Sequence, residues 1–132
     1  MAVSLVLVSH SQQLAEGVRD LAAQMTQGKV RIATAGGTAD GRLGTDATAI
    51  LGAIEQVRSE DGVLVLVDLG SAVLSTQMAI EQLAGDHGRV VVSNAPFVEG
   101  AVIAAVEASI DSDLDRVADA ALGARDMEKV AG

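Results

Sequence analysis

Four short aliphatic runs, each followed by a stretch with helical spacing, constrain this chain more than any other feature. The runs are residues 3–8, 30–35, 63–67 and 89–93. Three are nearly continuous in Val, Leu and Ile, the pattern of strands covered on both faces of a parallel sheet. The second alternates, with Val30, Ile32 and Thr34 against Lys29 and Arg31, which fits a half-exposed strand nearer an edge. Between the runs, apolar residues recur every three or four positions. The sets are Leu14, Val18, Leu21 and Met25; Ile50, Leu51, Ile54 and Val57; Leu74, Met78 and Leu83; and Val98, Val102, Ile103 and Val106. Each predicts one apolar helix face. A last helix is predicted from near Ser112, with Asp113 and Asp115 at its positive end and Leu114, Val117, Ala121 and Leu122 on its apolar side.

The order βαβαβαβα plus a terminal helix requires crossover connections. The expected fold is therefore α/β, an open and mostly parallel sheet of four strands or slightly more, with helices on both faces. The 132 residues suit a single domain over 1–132. At 49% hydrophobic and 20% charged, the chain is too apolar to be disordered. It has one Phe and no Tyr or Trp, so its core is built from small aliphatic groups and it has no aromatic platform for single-stranded nucleic acid. Eighteen acids against nine bases leave a net charge of −9. That charge disfavours nucleic acid and anionic membrane surfaces and suits docking to a basic protein face. The chain contains no Cys, which removes disulfides, thiol nucleophiles and thiolate metal sites. With no leader-like start and no apolar run near the roughly 20 residues of a membrane span, a cytoplasmic location is the expectation.

Several chemistries are excluded by missing motifs. Gly-x-Gly-x-x-Gly, the phosphate-binding loop and Gly-x-Ser-x-Gly do not occur. Asp111, Asp113 and Asp115 mimic the start of a calcium loop, but Arg116 and Leu122 stand where Gly and Glu are needed, so these acids read as a helix start. No metal and no cofactor is expected.

In such a sheet, ligands bind beyond the carboxyl ends of the strands. The first run leads into Ser9-His10-Ser11, the third into Asp68-Leu69-Gly70-Ser71, and the fourth into residues 93–100. If the first and third strands are neighbours, His10 and Asp68 stand side by side. A carboxylate that accepts from one imidazole nitrogen fixes the tautomer and frees the lone pair of the other, giving a nucleophile without Cys or an activated Ser. Helices starting after Ser11 and after Ser71 would aim N–H groups at the same spot, and Gly70 would let backbone approach a phosphate. The plainer alternatives are that His10 is a loop or capping residue and that Asp68 caps the next helix. His87 reads as an exposed turn residue, Arg42 as a surface charge, and Glu99 as a first-turn acid. The longest loop is residues 36–45, which hold four glycines.

Residues 5–11 (Leu-Val-Leu-Val-Ser-His-Ser), Gly44-Thr45-Asp46-Ala47, residues 65–72 and residues 95–100 together resemble one family. It is the phosphotransferase subunits (DhaM) of phosphoenolpyruvate-dependent dihydroxyacetone kinases, whose domain is similar to the mannose-type IIA domain of the sugar phosphotransferase system. The resemblance implies a phosphocarrier. His10 matches the phosphorylated histidine, Asp68 the carboxylate that orients it, and Gly70 and Ser71 the phosphate-side turn; Ser11 is a further candidate for phosphate binding. Gly44, Thr45 and Glu99 are candidate partner contacts. The implied partners are the donor phospho-HPr, the ADP-binding subunit of the kinase as acceptor, and a second copy in a homodimer. Some members carry HPr-like and enzyme I-like domains after this one; these 132 residues hold neither, so both are expected as separate proteins. Leu-Gly-Ser-Ala after Asp68 favours the dihydroxyacetone branch over the sugar transporters, which tend to carry Gly-Gly-Ser-Pro there. The rival functions are a sugar-transporter IIA component passing phosphate to a IIB domain, and a non-catalytic module that signals its phosphorylation state.

Overall fold

The Val- and Leu-rich runs form strands because β-branched and large aliphatic side chains pack well when both faces of a sheet are covered. A computed structural model describes residues 2–85 and 87–131. The order is β1 (Ser4–Ser9), α1 (Gln12–Thr26), β2 (Ile32–Gly36), α2 (Ala47–Val57), β3 (Val63–Val67), α3 (Ser71–Glu81), β4 (Val90–Val92), α4 (Phe97–Ser109) and α5 (Leu114–Leu122), then a 3-10 turn over Gly123–Asp126. All pairings are parallel, in the order β2-β1-β3-β4. The expected architecture is therefore present with four strands. The chain passes outward from β1 to β2, then returns over β1 to β3. The strand order thus reverses between β1 and β3, which makes their carboxyl ends the switch point.

Two cores sandwich the sheet. On one face Leu5, Leu7, Leu64 and Leu66 meet Val18 and Ala22 of α1, the alanines of α4, and Leu114, Val117 and Ala121 of α5. On the other, Val6, Val8, Val63 and Val65 meet Ile50, Ile54 and Val57 of α2, with Ala72 and Ala79 of α3. Successive β1 and β3 residues feed opposite cores, and each fully buried side chain contributes about 1.5–3 kcal/mol. Among the described residues no helix is long and apolar enough to cross a membrane.

The helix faces differ from the spacing-based expectation. Leu14, Leu21 and Met25 are exposed, and α1 buries Ala15, Val18, Ala22 and Thr26. Leu74 and Met78 are also exposed, and α3 buries Ala72, Thr76 and Ala79. In α4 Val98 and Val106 point outward, while Ala101, Ala104, Ala105 and Ala108 face the sheet. Small side chains bring these helices close to the strands and leave the bulkier apolar groups outside. Thr76 is tolerated in the core because its hydroxyl donates to the Ala72 carbonyl at 2.8 Å.

The edge strands differ too. β2 begins at Ile32, not residue 30, and its buried residues are Ala33 and Ala35. Its edge position agrees with the alternating pattern. The fourth run yields only three strand residues, all half-buried, because β4 is the opposite edge. The acids at 113 and 115 do start α5: Asp113 accepts from the Arg116 N–H at 2.9 Å, and Asp115 pairs with Arg89 at 3.0 Å.

Candidate functional site

His10 is the first residue beyond β1, and Asp68 the first beyond β3. Because the strands pair Val8 with Val67, both side chains emerge together at the switch point. Four donors converge on the Asp68 carboxylate. Oδ1 accepts from the His10 ring at Nδ1 (2.9 Å) and the Leu69 N–H (2.7 Å). Oδ2 accepts from the His10 N–H and the Ser9 hydroxyl, both at 2.9 Å. Burial pushes the carboxyl up, but the hydrogen bonds from the His10 backbone, the His10 ring, Ser9 and Leu69 outweigh it and hold Asp68 below the ordinary carboxylate value.

An ionised carboxylate can only accept, so the Nδ1 it contacts carries the ring proton. The network thereby assigns the tautomer: Nε2 keeps its lone pair. The Ser71 hydroxyl stands 2.8 Å from Nε2 and donates to it. The His10 side chain is 25% exposed and that of Asp68 9%, so the carboxylate is shielded while the imidazole reaches the surface.

Both flanking helices begin here. Ser11 caps α1 by accepting from the Leu14 N–H at 3.2 Å, and Ser71 opens α3 after Gly70. Neither helix carries an acid in its first turn, so both positive ends are uncompensated. A Cβ at Gly70 would meet nothing within 4 Å, so the space beside that turn is open. The loop between β2 and α2 is tied to the site. The Gly44 N–H donates to the His10 carbonyl at 2.8 Å, and Thr45 shares a 2.7 Å hydroxyl contact with Ser75 of α3. Glu99 sits in the first turn of α4, paired with Lys129 at 2.5 Å, and that bond holds its carboxyl low. Arg42 is 85% exposed and pairs with Asp40. His87 is exposed before β4, at the other end of the sheet. The structure brings the candidate residues His10, Asp68 and Ser71 together. Ser11, expected on the phosphate side, begins α1 beside them with its side-chain oxygen engaged as the helix cap.

Two residues were missed. Ser9, fully buried, grips Asp68; a polar residue at a strand's end reads only as a terminator. Gly36 lies against the start of α1, where a Cβ would fall 2.6 Å from the Ser11 carbonyl oxygen and 2.7 Å from Gln12 Cα. Both are backbone atoms, so Gly36→Ala must push the start of α1, and His10 with it. We expect about 1–3 kcal/mol of destabilisation by urea titration, as for other overpacked sites.

An open parallel sheet bearing a carboxylate-held histidine at its switch point, between two helix N-termini, defines the class. The family model described as the PTS system fructose IIA component (EIIA-man) matches residues 4–118. The chain is 45% identical over 119 residues to the phosphoryl donor subunit DhaM of the PEP-dependent dihydroxyacetone kinase of Escherichia coli (strain K12), covering 87% of this chain and 25% of that protein. It is 37% identical over 116 residues to the DhaM of PEP-dependent dihydroxyacetone kinase 2 of Listeria innocua, covering 87% and 93%. The crystal structure of a protein of unknown function, EF1359, matches with a TM-score of 0.84 and 35% identity, covering 100% of both chains. The chain belongs to the EIIA-man family and to the DhaM group within it. It spans about a quarter of the length of the Escherichia coli relative.

Proposed function

We propose that this chain is a phosphocarrier whose His10 Nε2 takes a phosphoryl group from a phosphohistidine of HPr. It then passes the group to ADP on the nucleotide-binding subunit of dihydroxyacetone kinase. The observation that carries this reading is the polarised ring, with Nδ1 bound to an ionised Asp68 and Nε2 exposed beside a hydroxyl donor. In the first step the donor's P–N bond breaks as the Nε2 lone pair forms a new one. The His10 ring gains positive charge, which Asp68 offsets at 2.9 Å. In the second, the P–Nε2 bond breaks and a β-phosphate oxygen of ADP takes the group, giving ATP. Such transfers need positioning and charge stabilisation more than covalent assistance. The Ser71 hydroxyl and the N–H groups opening α1 and α3 face the phosphoryl oxygens, with Gly70 leaving room.

Exchange with two protein partners needs a reachable histidine rather than a deep pocket. His10 sits at the surface, and Leu43 (79% exposed) and Leu69 (60%) stand beside groups bonded to it. Exposed leucines on an ordered rim suit small, transient protein interfaces. A homodimer is part of the proposal, on the strength of the resemblance. The donor-subunit names of the relatives favour the kinase route over a sugar transporter.

The test is intact-mass spectrometry after incubation with phosphoenolpyruvate, enzyme I and HPr. One acid-labile phosphoryl group is expected. It should be lost on adding the ADP-loaded kinase subunit and retained on adding a IIB domain. Loss to IIB alone would transfer the chain to the sugar route; no gain, with the donors active on a control, would overturn the phosphocarrier reading. Protein should be quantified without 280 nm absorbance, since the chain has no Trp or Tyr.

A further inference from the structure

We infer that Ser9 is a positioning residue of this site: its buried hydroxyl fixes the plane of the Asp68 carboxylate and, through it, the ring of His10. The effect on rate rests on the phosphocarrier reading, whereas the hold on Asp68 stands on geometry alone.

Ser9 ends β1 and is 0% exposed. Its hydroxyl is used in both directions. The proton goes to Asp68 Oδ2 at 2.9 Å, and the oxygen accepts from the Ser11 N–H at 3.0 Å. The accepted bond leaves the proton one productive direction, toward the carboxylate. The other donors to Asp68 are the His10 and Leu69 backbone N–H groups and the His10 ring. Ser9 is thus the one side chain outside the histidine that grips this carboxylate among the described residues.

Each carboxylate oxygen holds two donors. The torsion that turns a carboxylate is broad, so its plane is set by its partners. Without Ser9, Oδ2 keeps a single backbone donor while Oδ1 keeps two donors, so the carboxylate plane is held less firmly on one side. The bond from Nδ1 to Oδ1 then holds the imidazole in a broader range of orientations, and the aim of Nε2 is less well fixed. Ser9 also links Asp68 to the first turn of α1, because Ser11 is the cap of that helix. The carboxylate just beyond β3 and the N-terminus of α1 are therefore registered through one hydroxyl.

The experiment compares wild type, Ser9→Ala and Ser9→Thr, each checked for folding by circular dichroism. It has two readouts: NMR titration of the Asp68 carboxyl carbon, and single-turnover phosphorylation by phospho-HPr. Ser9→Ala is expected to raise the Asp68 midpoint above the wild-type value. It should also slow phosphorylation about tenfold at neutral pH, the equivalent of one hydrogen bond to a charged group. Ser9→Thr, which keeps the hydroxyl, should restore the midpoint and most of the rate. In the unaltered protein, the Ser9 hydroxyl proton should be visible by NMR as a slowly exchanging signal that is lost when Asp68 protonates. A folded Ser9→Ala protein with an unmoved Asp68 midpoint overturns the inference, even if the rate falls, because the effect would then be general. So does a hydroxyl proton in free exchange while Asp68 is ionised. If wild type takes up no phosphoryl group, the phosphocarrier reading fails, and the titration and exchange data still decide whether Ser9 holds Asp68.

Discussion

His10→Ala is expected to abolish acid-labile phosphorylation while leaving the fold intact. The two halves of that expectation have separate physical grounds. Nε2 of His10 is the nucleophile in the proposed route, and alanine offers no lone pair to replace it. The fold should survive because the ring is a quarter exposed and its main links are to Asp68 and Ser71 at the surface. After truncation Asp68 still accepts from the His10 N–H, the Leu69 N–H and Ser9. Stability should therefore fall by no more than about 1.5–3 kcal/mol, the net worth of a hydrogen bond to a charged group. The substitution also has an internal control. His87, the chain's other histidine, is exposed before β4, at the amino end of the sheet. It has no carboxylate partner among the described residues. Intact mass and urea titration together decide the matter. A phosphoryl group that persists in a folded His10→Ala protein would sit elsewhere and would remove His10 from its role.

The pairing on which this expectation depends was legible only conditionally. The runs at 3–8 and 63–67 read as strands from their composition, and His10 and Asp68 could be seen to follow them. Their juxtaposition needed β1 and β3 to be neighbours, which is a property of how crossovers are laid over the sheet. The helices were found for the right reason and turned the wrong way. Counting large apolar residues put Leu21, Met25, Leu74 and Met78 inside, whereas the sheet is approached by Ala15, Ala22, Ala72 and Ala79. In an alanine-rich helix close packing can favour the small side, a choice that spacing alone does not encode. Ser9 was invisible because its meaning lies in Asp68, 59 residues away. Gly36 reads as one of a run of loop glycines until the start of α1 is seen against it.

Asp68→Asn should slow phosphorylation of His10 by up to about 10⁴-fold, the loss that the same change causes in a Ser-His-Asp triad. Four donors face the carboxylate, two on each oxygen. Asparagine presents one oxygen and one NH2 group, so one pair of donors must meet another donor. If the NH2 faces Ser9 and the His10 N–H, the backbone donor cannot turn away, and a buried group is left unpaired at about 1–3 kcal/mol. If it faces the ring, Nδ1 must become the acceptor. The ring proton then moves to Nε2 and blocks the lone pair that attacks. Both arrangements also remove the negative charge that offsets the developing imidazolium. Single-turnover kinetics measures the loss, and a rate within threefold of wild type would take Asp68 out of the mechanism. Acid unfolding gives an independent check on the carboxylate. Its folded-state value lies below the ordinary one, so at acid pH the unfolded chain binds the proton more readily. The stability Asp68 contributes is complete above about pH 5 and is lost as the pH falls through about 4 toward the lower folded value. Asp68→Asn should therefore be less stable than wild type at neutral pH, with the gap closing as the pH falls through about 4 toward the lower folded value. A gap that stays constant across that window would mean that the four donors do not favour the ionised group, and that the tautomer of His10 is set by something other than Asp68.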